Sequence, residues 1–90
     1  MAIINFTSAL KRFYPTLEPV EIAGDSVADI LLLLEQKHTG LTDFLIDEHG
    51  ALRQHINIFI GDKMLTDRDS LSDRVGERDE ILIVQALSGG

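Results

Sequence analysis

Three groups of residues in this 90-residue chain have types and spacings that invite a chemical reading. The first is the end, Ser88-Gly89-Gly90. Two glycines at a given terminus arise by chance about 0.5% of the time at average usage. Gly90 carries the α-carboxyl group, and neither glycine has a side chain to block approach to it. A backbone free of Cβ atoms threads a narrow channel and takes conformations closed to other residues. One reading is therefore a tail that enters another protein's active site. The other is an ordinary frayed end, since termini tolerate change.

The second group is Asp67, Asp69 and Asp73, which loosely match a calcium-binding loop. The stretch lacks glycine at the sixth position and glutamate at the twelfth, so it reads as a solvated acidic turn. The third group is His38, His49 and His55. They fall in different segments, with no nucleophile-elbow sequence and no metal-ligand spacing. The chain is expected to have no catalytic side chain and no metal site of its own.

Composition narrows the classes further. With no cysteine, thiolate metal sites, disulfides and cysteine nucleophiles are excluded. Hydrophobic residues make up 44% and charged residues 26%, as in a soluble globular domain. The net charge of −7 argues against nucleic acid and against an anionic membrane surface. It fits a partner with a basic docking face, or simple solubility. The opening Met1-Ala2-Ile3-Ile4-Asn5 has no signal-peptide pattern, and the longest apolar run, Ile30 to Leu34, is far too short to span a bilayer. The expected location is the cytoplasm.

Hydrophobic periodicity gives the elements that must position the tail. Ala2–Thr7 and Val20–Ala23 read as two strands joined by a long connection in which Pro15 and Pro19 interrupt any helix. Ser26 and Asp29 fit a capping box before a helix from about Val27 to His38, whose Val27, Ile30, Leu31 and Leu34 share one face. Thr39-Gly40 stops it, with Gly40 suited to a left-handed position. Leu41–Ile46 reads as a short helical turn and Asp47–Gly50 as a polar turn. Gln54–Ile60 alternates, with Ile56, Ile58 and Ile60 on one side and Asn57 and Phe59 on the other. A turn at Gly61-Asp62, a short strand Lys63–Leu65, an acidic stretch anchored by Leu71 and Val75, and a last strand Glu80–Gln85 complete the chain. Order and polarity predict an α+β fold. One mixed sheet of four to five strands wraps over one main helix, and the first and last strands are parallel neighbours. Residues 1–86 form the domain and 87–90 the tail.

This is the β-grasp pattern, and with the diglycine end the chain resembles the ubiquitin-like sulfur carriers. The resemblance is carried by three stretches: His55 to Asp62, Gly76-Glu77-Arg78-Asp79-Glu80-Ile81, and Ala86-Leu87-Ser88-Gly89-Gly90. Members include the small subunit of molybdopterin synthase, the thiamine-pathway carrier and the carrier that feeds a cysteine synthase. The long connection after the helix and the Asn57 strand look closer to the last than to the molybdopterin subunit. The extra Glu77-Arg78 in the turn, and Val84-Gln85-Ala86 in place of prolines or aromatics, depart from the family pattern.

The resemblance implies a mechanism. A ubiquitin-activating-type enzyme, using ATP and magnesium, adenylates the Gly90 carboxyl. A sulfur donor then leaves a thiocarboxylate there. Gly90 delivers the sulfur to a biosynthetic enzyme that makes cysteine, molybdopterin, thiamine or a related metabolite. Leu87, Ser88 and Gly89 carry it into the partner's site. The same resemblance leaves open a protein modifier joined to lysines through Gly90, or an interaction domain that is never activated. If the isoleucines face the helix, Phe59, Leu82 and Val84 face outward and form a partner-docking surface.

Overall fold

The computed structural model describes residues 1–12 and 17–85. Strand β1 (Ala2–Phe6) alternates as its sequence does, with Ala2, Ile4 and Phe6 buried. A single helical turn α1 (Ser8–Lys11) follows, which sequence periodicity did not reveal. Leu10 fixes it by inserting fully into the core. Strand β2 (Val20–Ile22) returns antiparallel to β1, pairing Ala2 with Ile22 and Ile4 with Val20.

Helix α2 (Val27–Lys37) begins where expected. The Ser26 hydroxyl accepts from the Asp29 N–H at 3.3 Å, satisfying one of the orphan donors of the first turn. Val27, Ile30, Leu31 and Leu34 are buried, whereas Leu32 is 64% exposed. The helix closes at His38, whose N–H donates to the Leu34 carbonyl at 2.8 Å. Gly40 does adopt the left-handed region, at φ 94°, but as the residue that opens helix α3 (Leu41–Leu45). The carboxylate of Glu35 braces that junction. It accepts from the N–H of Gly40 at 2.8 Å, and from the N–H and hydroxyl of Thr42 at 3.0 and 2.7 Å.

Three more strands complete the sheet: β3 (Ile56–Ile60), β4 (Lys63–Met64) and β5 (Glu80–Gln85). The order across the sheet is β2-β1-β5-β3-β4, with β1 and β5 parallel and the other neighbours antiparallel. One face packs on α2 through Ile4, Ile56, Ile58, Ile81 and Ile83, none more than 1% exposed. Burying a side chain of this size contributes about 1.5–3 kcal/mol. The fold is thus the five-stranded β-grasp that the sequence order demanded, with β5 at the centre and the chain's end issuing from it. Among the described residues no helix is long and apolar enough to cross a membrane.

Candidate docking face and tail exit

The face of the sheet turned away from α2 is built by the same alternation that fills the core. In β5, Ile81 and Ile83 point inward, so Glu80 and Leu82 are exposed and Val84 is half-buried. In β3, Ile56 and Ile58 point inward, leaving Asn57 and Phe59 on the outer side. Register then decides which of these meet. Leu82 pairs with Asn5 on one side and Phe59 on the other, and Phe59 pairs with Met64. Directly paired residues share a face. Asn5, Leu82, Phe59 and Met64 therefore form one row across four strands, and Val84 and Asn57 begin a second.

The structure brings together all three docking residues expected from the sequence: Phe59, Leu82 and Val84. It adds Met64, 52% exposed, which the sequence analysis did not single out. Its signal was the two-residue Gly61-Asp62 turn, which sets Met64 opposite Phe59. Phe59 itself is only partly exposed, with Met64 and Leu82 paired to either side. Ile60, expected on the inner face, is half-buried and packs at the margin of the core beside the Gly61 turn.

The end of β5 is tied on both flanks. On the β1 side, the Thr7 N–H donates to the Ile83 carbonyl at 3.2 Å, and the Gln85 N–H reaches the Thr7 hydroxyl at 3.4 Å. On the β3 side, Gln85 pairs with Ile56 and Val84 with Asn57. Arg68 anchors this corner from a distant loop. Its guanidinium donates to Asn57 Oδ1 at 2.6 Å, to the Arg53 carbonyl at 2.6 Å and to the Ile56 carbonyl at 2.9 Å. The expected tail residues Leu87, Ser88, Gly89 and Gly90 lie outside the described residues, as do Phe13, Tyr14 and Pro15 of the first connection.

The acidic stretch is put to structural use. Asp67 accepts from the N–H groups of Asp69 and Ser70 with one oxygen, and from the N–H and hydroxyl of Ser72 with the other. The Ser72 hydroxyl and these N–H groups hold its carboxyl below the usual carboxylate range. Asp73 accepts from the N–H and hydroxyl of Thr66 and from the Asp67 N–H. Desolvation raises the Asp73 pKa, but those three donors outweigh it and the net shift is downward. Both carboxylates thus spend their acceptors on their own loop. Among the described residues no group of three or more His, Asp and Glu stands close enough to hold a metal ion. The histidines are scattered: His49 lies 3.7 Å from Glu48 on the surface, and His55 meets the Phe44 ring edge-on with centroids 6.1 Å apart.

Comparison with known proteins settles the kinship of this arrangement. Residues 6–90 match the ThiS family, a span that starts at the last residue of β1, takes in every later strand and runs through the diglycine. The chain belongs to the ThiS family. It is a ubiquitin-like sulfur carrier of that type. Sulfur carrier protein CysO of Mycobacterium tuberculosis is 26% identical over 73 residues, covering 79% of this chain and 78% of that protein. A chain of the Amycolatopsis orientalis BexX/CysO complex superposes over 100% of both chains with a TM-score of 0.84 at 24% identity. SAMP1 from Haloferax volcanii superposes over 99% of this chain and 98% of its own, with a TM-score of 0.77 at 23% identity. At those identities the two structures establish the shared fold.

Proposed function

We propose that this ThiS-family member carries sulfur as a thiocarboxylate on Gly90. The carboxyl group of a chain end ionises near pH 3.5, so at neutral pH it is a carboxylate and a poor electrophile. Activation needs a leaving group. A Gly90 oxygen attacks the α-phosphorus of ATP in an adenylating partner, pyrophosphate departs, and an acyl-adenylate forms. A hydrosulfide-equivalent donor then attacks the carbonyl carbon and displaces AMP, leaving a thiocarboxylate whose sulfur is the group delivered. ATP and magnesium belong to the partner. The carrier contributes position: it places one reactive atom in a foreign site, which replaces a bimolecular encounter with an oriented one.

The observation that carries this reading is the continuity between the apolar row of the open face and the strand that leads to the tail. Leu82 and Val84 lie on β5 itself, three and one residues before Gln85. From Gln85 the five remaining residues span at most roughly 16–18 Å when extended. A partner seated on Phe59, Leu82, Val84 and Met64 thus receives Gly90 within that radius. The acceptor we infer is a biosynthetic enzyme of the cysteine-synthase type. The likeness to Mycobacterium CysO and to a chain of the BexX/CysO complex supports it.

A second reading has its own support. A solution structure of the small archaeal modifier protein 1 from Methanosarcina acetivorans shares this fold, with a TM-score of 0.77. Conjugation through Gly90 to lysines would use the same activation step. Intact-mass spectrometry separates the two after incubation with the cognate activating enzyme, ATP and sulfide. A gain of roughly 16 Da marks one oxygen replaced by sulfur in an activated acyl group. Lysine-linked species of higher mass would favour the modifier, and the absence of either product would leave only a passive interaction domain.

A further inference from the structure

We propose that Asn57 is a docking donor: its Nδ2 amide, aimed outward by Arg68, donates to a main-chain carbonyl of the activating partner. The inference rests on the open sheet face being the surface that the partner covers. It begins from an assignment that chemistry makes without ambiguity. A guanidinium carries donors only, so the Asn57 atom that Arg68 meets at 2.6 Å must be the carbonyl oxygen. The NH2 group of the same amide therefore points away from Arg68. Among the described residues nothing accepts a hydrogen bond from it. The buried side-chain polar atom that stands without a partner there is Gln85 Oε1, so Nδ2, equally unpartnered, is not sealed from solvent.

The position makes this amide conspicuous. Asn57 lies on β3, pairs with Val84 of β5 in the second row of the apolar face, and stands just short of the Phe59–Ile60 stretch that β4 covers. Asparagine is a poor strand former. Holding Arg68 does not explain the choice, because aspartate would hold the same guanidinium with a stronger charge-assisted bond. What an amide adds over a carboxylate is the donor. Arg68 is the positioning residue. With its two further bonds, to the Arg53 and Ile56 carbonyls, the guanidinium is fixed at three points, and it fixes Asn57 in turn. The donor so placed stands beside Val84, one residue before the last sheet pairing ahead of the tail. A partner that closes over Leu82 and Phe59 must satisfy or bury this NH2 group. Left unmatched, a buried donor costs about 1–3 kcal/mol.

The decisive variant is Asn57→Asp. It keeps the acceptor for Arg68 and replaces the outward donor with an acceptor. ATP–pyrophosphate exchange by the cognate activating enzyme, with the carrier as varied substrate, reads the consequence. We expect KM to rise about tenfold or more with kcat unchanged, since acceptor would face acceptor in the docked complex. The thermal midpoint should equal or exceed that of the wild type. Arg68→Lys, which cannot hold three acceptors in one plane, should raise KM by about threefold or more alone and by less than about twofold in an Asn57→Ala background. An Asn57→Asp protein with KM within twofold of wild type overturns the proposal. So does an Arg68→Lys effect that persists in the Asn57→Ala background, because Arg68 would then act on the fold alone. Leu82→Glu in the same assay tests the underlying surface. If it leaves KM unchanged, the open-face reading fails. If it abolishes exchange while Asn57→Asp is neutral, the face stands and only the donor is lost.

Discussion

Phe59 and Leu82 face each other across β3 and β5, yet they make different probes of docking. Leu82 is 36% exposed and contributes little to the core, so Leu82→Ala should change stability by less than about 1 kcal/mol. Phe59 is more deeply covered, with Leu82 and Met64 paired to either side. The sequence alone, which assigned Phe59 simply to the outer side, suggests that its truncation leaves the melting temperature almost untouched. The observed packing instead predicts that Phe59→Ala lowers stability by about 1–2 kcal/mol as cross-strand contacts are lost. Both variants should weaken binding to the activating enzyme. Calorimetric titration together with urea unfolding checks this, and Leu82→Ala is expected to show the binding loss without the stability loss. If Leu82→Ala binds like the wild type while Phe59→Ala loses only stability, these residues serve the sheet and not the partner.

At the scale of elements, the connections are braced by carboxylates. Glu35 holds the α2–α3 junction, Asp47 the 47–51 turn, and Asp67 and Asp73 the 66–73 loop. For Glu35 the Gly40 N–H is the largest cause of a lowered pKa, and for Asp47 it is the His49 N–H. A group whose folded pKa is depressed adds stability above its unfolded pKa and loses it as pH falls through the folded value. Unfolded carboxyls titrate near 3.9 for Asp and 4.3 for Glu, so stability should hold roughly level from pH 7 to 5 and decline below about pH 4. Asp67→Asn should lose more stability at pH 7 than at pH 3, flattening that decline. Urea midpoints measured across the range give the answer, and parallel profiles for the two proteins would count against the role of Asp67. How much of this was legible follows from contact distance along the chain. The Ser26 cap, the helix face and the alternation of Ile56/Ile58 and Ile81/Ile83 are local, and periodicity exposes them. The three bonds of Arg68 span 11 to 15 residues, and no local pattern announces them. Leu71 read correctly as an anchor, but its left-handed backbone at φ 57° did not, because a leucine there is held by tertiary contacts. Its carbonyl accepts from the Ala28 N–H at 2.9 Å, tying the loop to the first turn of α2.

For the molecule as a whole, the net charge of −7 must act on every encounter, whatever face is used. The open row itself is uncharged: Asn5, Leu82, Phe59 and Met64. Attraction to a basic partner therefore comes from the summed field around that row more than from ion pairs within it. Such a field speeds association and is screened over about 8–10 Å at physiological salt, while apolar contacts in the docked complex are not screened. Stopped-flow association with the activating enzyme should accordingly slow by about tenfold or more between 50 and 500 mM salt. The dissociation rate should change by less than about threefold, since apolar burial governs departure. Neutralising a pair of surface carboxylates away from the row, as in Glu48→Gln with Asp25→Asn, should reduce the salt slope of association and leave dissociation alone. If the association rate is indifferent to salt, the charge serves solubility only. If salt acts mainly on dissociation, the docked face must contain ion pairs, and the uncharged row on β5, β3 and β4 would not be its centre.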